Sequence, residues 1–374
     1  MSSDSPLVDV VIAVHNDRRP VERAAASVLA TKADLRLTVV AHNVEPHAIV
    51  ERLGALAKDP RVRVLALADG VRSPANAFNH GLDAATGVYV TIIGSDDTLE
   101  AGALDAWVAL AEQHRADAVI APVVRDGGFA VPTPRIRSRR RIQVLDADRD
   151  RLFERTAALG LQRRATTSHL RYTADLPRGV DQEYGLRLWT SGRVVFDART
   201  PAYREHADQD DRVTHAFGRL IDDFAFLDGF LRLVSTLPAP LRRASVAKVI
   251  RVHVIPAVRN RVDAGSLDAA DVDAAAAVLD KLTSAAPAAT RLLPRELDAD
   301  LDAIRRRSMV AAAAANGRGA SRAGSIVPRA PWLLLHRHAP LRSLAAGRAV
   351  MRQVSAAYRL RSSRQGASSG RSGG

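Results

Sequence analysis

The chain of 374 residues is long enough for two domains, or for one α/β domain with helical additions. It contains no cysteine, which excludes disulfides, thiolate zinc sites and cysteine nucleophiles. Eleven arginines and no acidic residue lie in 316–374, so the net charge of +13 leaves about +2 for the first 315 residues. The basic character therefore belongs to the C-terminal tail.

Strand-like and helical patterns alternate over the first 125 residues. Short apolar, β-branched runs predict strands at 8–14, 35–41, 61–67, 88–93 and 117–124, with helical periodicity between several of them. This alternation predicts right-handed crossovers and a mostly parallel, Rossmann-like sheet that is buried on both faces. The glycine-rich dinucleotide turn and the phosphate-binding P-loop motif are both missing, which disfavours nicotinamide, flavin and P-loop chemistry.

The fourth apolar run stops at Gly94 and is followed at once by Asp96 and Asp97. In open α/β sheets, ligands bind at the carboxyl ends of the strands. Carboxylates in such a place require a cation or a hydroxyl group as a partner. A competing interpretation is that Asp97 or Thr98 caps the next helix. This stretch alone leaves both interpretations open.

Polar segments follow the alternating region. Five arginines between Arg135 and Arg141 favour a solvated linker over an anion-binding flap. Asp181 and Glu183 open a predicted helix, where acidic residues also suit the helix N-terminus. A dense polar cluster follows. Its histidine can be interpreted as a metal ligand, or as a side chain that is simply exposed or hydrogen-bonded. The cluster consists of Tyr203, Arg204, Glu205, His206, Asp208 and Asp210.

The C-terminal part predicts helices from about 213 to 315, a flexible linker at 316–325, a basic amphipathic segment that begins near Trp332, and disorder at 365–374. The expected domains are thus 1–215, 216–315 and 316–374. No apolar run reaches the roughly 20 residues that span a bilayer, and the N-terminus lacks a secretory pattern. We therefore expect a cytoplasmic protein that can lie peripherally at the inner face of the membrane.

Four motifs in the same order resemble those of the family 2 glycosyltransferases, inverting enzymes with the GT-A fold. The resemblance spans 8–214. Asn16 ends the first strand as in the family, and Asp181 and His206 match the later acidic and Arg-x-His motifs. The segment before the acidic pair is similar to the family's Ala-Arg-Asn-x-Gly and Ala-x-Gly-x-Tyr progression. Its matching residues are Ala77, Asn79, Gly81, Ala85, Gly87, Tyr89, Asp96 and Asp97.

The resemblance implies an α/β GT-A domain that transfers a single sugar from a nucleotide-sugar donor to a hydroxyl acceptor, with Mg²⁺ or Mn²⁺ as cofactor. A cell-envelope or lipid-linked glycan is the expected acceptor. Asp181 is implied as the catalytic base. Asp97 and His206 are implied as metal ligands. The implied donor-binding residues are Asn16, Asn43, Arg72, Asn79 and Asp96.

Several positions depart from the family pattern. Ala41, His42 and Asn43 replace the acidic residue that usually follows the second strand, and Val180 replaces the glutamate before the base. The Gln-x-x-Arg-Trp motif of processive synthases is also missing, which favours transfer of single sugars. The alternatives are a sugar-phosphate nucleotidyltransferase and a GT-A-like binding module that has lost catalysis and is tethered to an anionic surface.

Three interpretations of the arginine-rich tail remain open. A basic amphipathic segment with Trp332 and adjacent leucines favours contact with an anionic membrane. A solvated, disordered tail is the second interpretation. Nucleic acid is the least favoured partner, because the arginines supply charge without interleaved aromatic side chains or a recognisable binding motif.

Overall fold

A computed structural model of the protein describes residues 5–136, 142–208, 218–317 and 322–369. The strands are β1 (Val8–Val14), β2 (Leu35–His42), β3 (Val62–Leu67), β4 (Tyr89–Gly94), β5 (Thr98–Leu99), β6 (Ala118–Ile120), β7 (Val123–Arg125), β8 (Phe129–Ala130), β9 (Ile142–Leu145), β10 (Gly160–Arg163), β11 (Val194–Asp197) and β12 (Tyr203–Glu205). The helices are α1 (Val21–Leu29), α2 (Pro46–Leu53), α3 (Pro74–Asp83), α4 (Ala103–His114), α5 (Arg164–Thr167), α6 (Asp181–Thr190), α7 (Leu227–Ser235), α8 (Ala239–Val249), α9 (Ile255–Asp263), α10 (Ala269–Ala285), α11 (Asp298–Arg305), α12 (Met309–Asn316), α13 (Arg322–Ile326) and α14 (Pro340–Ser369).

An eight-stranded sheet forms the centre of the molecule, with the order β3-β2-β1-β4-β10-β6-β11-β9. The first four of these strands are parallel, and Val8 of β1 is in register with Leu35 of β2 and Tyr89 of β4. Their valines and isoleucines pack on both faces, as expected of a parallel sheet between helical layers. The predicted α/β architecture is confirmed here, whereas β10 and β9 add antiparallel pairings.

The predicted strand 117–124 is divided into β6 and β7, which belong to different sheets. Pro122 lies between them and has no amide hydrogen to donate to a strand ladder, so the chain leaves the large sheet there. The second sheet has the order β5-β12-β7-β8. It therefore brings the residues just after the acidic pair beside the polar cluster around Tyr203.

Two glycines of the family-like motifs serve packing. A Cβ on Gly81 of α3 would lie 2.3 Å from Cγ1 of Val11, so glycine lets this helix approach β1 closely. A Cβ on Gly87 would lie 2.8 Å from the carbonyl oxygen of Pro6, and the Gly87 amide donates to buried Asp9 at 2.6 Å. These contacts fix β4 beside β1 and so position the residues at its carboxyl end.

Helices α7 to α12 enclose a second apolar core, which also includes Phe153 and Leu186 from the sheet domain. A π-helical turn, Ile250–Val254, joins α8 to α9. It precedes Pro256, whose ring and missing amide hydrogen are incompatible with an uninterrupted α-helix. The turn presents Arg251 and His253 beside Lys248. The predicted boundary at 215 lies outside the described residues.

The segment predicted as a free amphipathic tail is instead packed against the protein through α14. Val350 and Val354 are buried, and the Tyr358 ring lies over Gly128. Arg361 pairs with Glu100 at 2.6 Å. The buried valines of this helix pack against the second sheet and the residues beside it. The helix also extends to Ser369, five residues into the stretch predicted to be disordered.

Within the described residues, no helix is long and apolar enough to cross a membrane.

Candidate active site

Asp97 lies on the turn after β4 and is held from two sides. The Tyr203 hydroxyl donates to its Oδ2 at 2.6 Å, and the His206 amide donates to its Oδ1 at 3.1 Å. Burial raises the pKa of the Asp97 carboxyl to about 6; the Tyr203 hydrogen bond opposes this shift and the charge of Asp96 adds to it. A carboxylate that ionises with such difficulty is suited to a bound cation.

Gly94 provides the space in which the two carboxylates converge. A Cβ at this position would lie 2.7 Å from Oδ2 of Asp97 and 3.2 Å from Oδ1 of Asp96. Both carboxylates therefore turn back over the end of β4. The capping interpretation does not account for this arrangement: Gly102 precedes α4 with no side-chain cap, and both aspartates lie on the turn after β4.

Asp96 pairs with Arg19, whose Nη1 lies 2.8 Å from Oδ2, and both side chains are largely buried. Arg19 reaches this position through the turn after β1. There the Asn16 Oδ1 accepts the amides of Arg18 at 3.0 Å and Arg19 at 3.2 Å. Asn16, predicted as a donor-binding residue, thus shapes the turn. Arg19 was missed by the sequence reasoning, although it lies in the polar run that directly follows the first strand.

His206 contacts Asp97 through its backbone. Its ring nitrogens lie 3.0 Å from the Thr98 hydroxyl and 3.0 Å from Asp126 Oδ1. The ring must exchange one of these partners before it can ligate a metal at Asp97. Asp210, which belonged to the same predicted cluster, lies outside the described residues.

Asp69 is the centre of a hydrogen-bonded network at the ends of β2 and β3. Its carboxylate contacts His42 Nε2 at 2.9 Å, Asn43 Nδ2 at 3.1 Å and Asn76 Nδ2 at 2.8 Å. Burial opposes ionisation, but these bonds and the Val71 amide outweigh it and hold the pKa of Asp69 below its usual range. Asp69 thus places a carboxylate beside His42 and Asn43, which stand where the family usually has an acidic residue.

Sequence reasoning missed Asp69 because it follows the third strand, whereas the usual acidic residue follows the second. The Asp-Gly turn after a predicted strand was the available signal. Arg72, predicted to bind the donor, is exposed three residues further on. Parallel strands β2, β3 and β4 end at the same edge of the sheet, so this network and the acidic pair share that edge.

Asn79 has a structural use that the donor-binding prediction did not anticipate. Its Nδ2 donates to the Tyr172 carbonyl at 2.9 Å, and its Oδ1 accepts the Tyr172 amide at 2.9 Å. The side-chain amide thereby ties α3 to the loop before α6. The Tyr172 ring stacks on Tyr184 of α6, with 4.0 Å between the ring centroids. Asn79 thus holds this loop against α3.

Asp181 is the first residue of α6. Burial raises the pKa of its carboxyl, and the positive charge of Lys248 opposes the shift. Lys248 itself is buried; its Nζ donates to Gln182 Oε1 at 3.0 Å, and burial lowers its pKa to about 8. A carboxylate with a raised pKa is suited to accepting a proton from a hydroxyl group.

The parallel sheet, the carboxylates at the end of β4 and the helical C-terminal region define a GT-A-type α/β protein. The sequence model of glycosyl transferase family 2 matches residues 9–168. This match confirms the resemblance found in the motifs and favours a glycosyltransferase over the nucleotidyltransferase alternative.

One curated relative is the succinoglycan biosynthesis protein ExoO of Rhizobium meliloti, 34% identical over 121 residues. These residues are 32% of this chain, and the match spans only 33% of the relative's length.

Solved structures of Staphylococcus aureus TarS share the fold. TarS 1-349 in complex with UDP-GlcNAc superposes with a TM-score of 0.67 at 15% identity, over 83% of this chain and 90% of that one. The UDP complex gives a TM-score of 0.64 at 14% identity, over 85% and 95% of the two chains. The superposition extends well beyond the family 2 domain, so it includes part of the helical region.

Proposed function

We propose that this protein is a metal-dependent, inverting glycosyltransferase that moves one sugar from a nucleotide-sugar donor to a hydroxyl acceptor. The observation that carries the proposal is the convergence of Asp96 and Asp97 over Gly94, at the carboxyl end of a parallel strand in a family 2 domain. Ligands of open α/β sheets bind at this edge.

The chemistry of the acidic pair fits Mg²⁺ or Mn²⁺. Asp97 offers oxygen ligands, and its raised pKa means that a nearby cation would relieve an unfavourable ionisation. Among the described residues, no group of three or more His, Asp or Glu side chains is arranged to hold an ion by itself. We therefore expect donor phosphate oxygens to complete the coordination, with Asp97 as the protein ligand. When bound, the cation neutralises the charge that develops on the leaving diphosphate.

The nucleotide of the donor would lie along the ends of β2 and β3. Asn43 and Asp69 present amide and carboxylate groups there, and exposed Arg72 can approach the phosphates. Arg19 holds the Asp96 side chain in place beside them. These contacts do not select one nucleobase, because amide and carboxylate groups can pair with several bases.

Asp181 would accept the proton of the acceptor hydroxyl as that oxygen attacks the anomeric carbon. The bond from carbon to the diphosphate oxygen breaks in the same displacement, which inverts the configuration. The positive charge of Lys248 favours the ionised form of this base and opposes the rise in its pKa that burial causes. The acceptor in this proposal is a cell-envelope or lipid-linked glycan, which is supported by the similarity to ExoO, a succinoglycan biosynthesis protein.

The test is product formation from a panel of UDP, GDP and dTDP sugars with Mn²⁺ and glycan acceptors. Asp181→Asn is expected to lower transfer at least 1,000-fold while donor affinity stays within about twofold, because the variant keeps the side-chain shape but cannot take the proton. Glu183→Gln on the same helix is the matched control. Metal-dependent donor binding without turnover in the unaltered protein would instead support the binding module, and equal activity in Asp181→Asn would refute the base assignment.

We also propose peripheral membrane contact, and we place it at Trp332 and Leu335 rather than on α14. The α14 face is occupied by protein, whereas Trp332 is 77% and Leu335 71% exposed, and Trp332 lines a small pocket with Arg243 and Arg291. Exposed aromatic and aliphatic side chains beside arginines suit an anionic lipid surface. Flotation with anionic vesicles should fall several-fold in the Trp332→Ala/Leu335→Ala variant and remain unchanged in Val50→Ala; equal flotation of all three proteins would contradict this contact.

A further inference from the structure

A cavity lies between the sheet domain, the helical region and the start of α14. It has a volume of about 290 Å³. Arg135 comes from the loop after β8, Lys248 and Arg251 come from α8 and the π-helical turn, and His338 and Ser343 come from the C-terminal segment. None of the predicted site residues lines it.

Positive charge exceeds negative charge at one end of this cavity. Arg251 Nη2 donates to both carboxylate oxygens of Glu154, at 2.7 Å to Oε1 and 2.6 Å to Oε2. Burial disfavours its ionisation, but the charges of Arg251, Arg135 and Lys248 together hold the pKa of Glu154 below its usual value. Three cations thus act on Glu154, and the charge of one of them, Lys248, is shared with Asp181. Elsewhere in the lining, Arg259 forms a bidentate pair with Asp300, and burial raises the pKa of Glu296.

Arg135 is the least compensated of the three cations. Its Nη1 donates to the neutral hydroxyl of Ser343 at 2.6 Å, and its Nε is buried without a hydrogen-bond partner among the described residues. Burial lowers the pKa of this guanidinium. A buried cation and an unpaired buried donor are both costly unless an anion satisfies them.

We infer that this cavity binds an anionic group, a phosphate or a carboxylate, that is carried by the acceptor saccharide. Planar guanidinium groups bind both oxyanions through paired hydrogen bonds. The volume lies just below the roughly 300–1,000 Å³ of pockets that hold small molecules, which suits one charged sugar unit. Lys248 lines the cavity and its charge also acts on the proposed base, so an anchored saccharide can extend from this cavity toward Asp181.

The assignment of the anion to the acceptor rests on the proposed function, whereas the anion site itself does not. Calorimetry on the full chain can separate the two. Glucose 1-phosphate, inorganic phosphate and glucose are titrated in turn with UDP and Mn²⁺ already present, so that the donor site is occupied. We expect glucose 1-phosphate to bind at least tenfold more tightly than inorganic phosphate and glucose not to bind.

Arg135→Gln is the decisive variant, because it removes a cation without leaving a carboxylate unpaired. It should weaken glucose 1-phosphate binding at least tenfold while its thermal unfolding stays near that of the unaltered protein. Arg52→Gln, which breaks an exposed ion pair with Glu22, is the matched control and should bind normally. Lys248→Gln provides a second variant with the same expected loss of binding.

Each other outcome overturns a defined part of the inference. Absence of phosphate binding, or normal binding by both cavity variants, refutes the anion site. Equal affinity for glucose 1-phosphate and inorganic phosphate refutes a saccharide-borne anion and indicates a site for free anions. If the cavity binds as expected but the protein transfers no sugar from any donor, the proposed function fails and the anion site stands.

Discussion

Two regions of this molecule hold buried charge of opposite sign. At the end of β4, Asp96 and Asp97 converge over Gly94, and Arg19 pairs with Asp96. In the cavity beside α8, Arg135, Lys248 and Arg251 line the wall together with Glu154. The acidic region calls for a cation and the basic region for an anion. The comparison teaches that an imbalance of buried charge identifies the chemistry of a ligand even where no motif does.

Neutralising a carboxylate should change the free energy of unfolding in opposite directions in the two regions. The larger change is expected in the basic region. Glu154→Gln leaves Arg251 buried without its partner, so the free energy of unfolding should fall by roughly 3 kcal/mol. Chemical denaturation at pH 7.5 measures this. Glu22→Gln, which breaks the exposed pair with Arg52, should cost well under about 1 kcal/mol. Equal losses in the two variants would show that Glu154 is not buried among cations.

The packing of the acidic pair provides the next test. Gly94→Ala places a methyl group 2.7 Å from the Asp97 carboxylate, so that carboxylate must move. Affinity for Mn²⁺ in the presence of UDP should fall about tenfold, equivalent to roughly 1.4 kcal/mol. Gly218→Ala is the matched control, since a Cβ there meets nothing within 4 Å. Unchanged affinity in Gly94→Ala would mean that the cation binds elsewhere.

The smallest effect concerns stability and pH. Because the pKa of Asp97 is raised to about 6, its carboxyl group binds a proton more strongly in the folded protein than in the unfolded chain. The stability gained from this protonation is present at low pH and is lost as the pH rises from about 4 to 6. Without metal, Asp97→Asn should therefore raise the free energy of unfolding by roughly 1 kcal/mol at pH 7.5 and by nothing measurable at pH 4. A destabilised variant at pH 7.5 would contradict the shift.

The sequence predicted the acidic region and not the basic one, for a physical reason. Asp96 and Asp97 are consecutive and follow an apolar strand, so the pattern of a few neighbouring residues places them at a sheet edge. The cations of the cavity come from positions 135, 248 and 251, and only the packing of three segments brings them together. Local patterns do not contain that information.

The difference between local sequence patterns and tertiary packing also explains which other predictions from the sequence were confirmed and which were wrong. Strand β1 has the predicted bounds, because its valines and isoleucines are determined by burial on both faces. The C-terminal segment was predicted to be basic and amphipathic, and its residues Val350, Val354 and Tyr358 pack against protein. Whether protein or lipid covers such residues depends on tertiary contacts, which the sequence pattern does not contain. Asn79 fitted a family motif, yet its amide is used by the backbone of Tyr172.

The central claim is that Asp97 holds a divalent cation against the diphosphate of a nucleotide-sugar donor. The most direct test is calorimetry of UDP and GDP binding with and without Mn²⁺, in the unaltered protein and in Asp97→Asn. We expect one nucleotide to bind at least 100-fold more tightly with Mn²⁺, and the Asn variant to lose that gain while keeping its fold. Equal affinity with and without Mn²⁺, or a full metal effect in Asp97→Asn, would contradict the account.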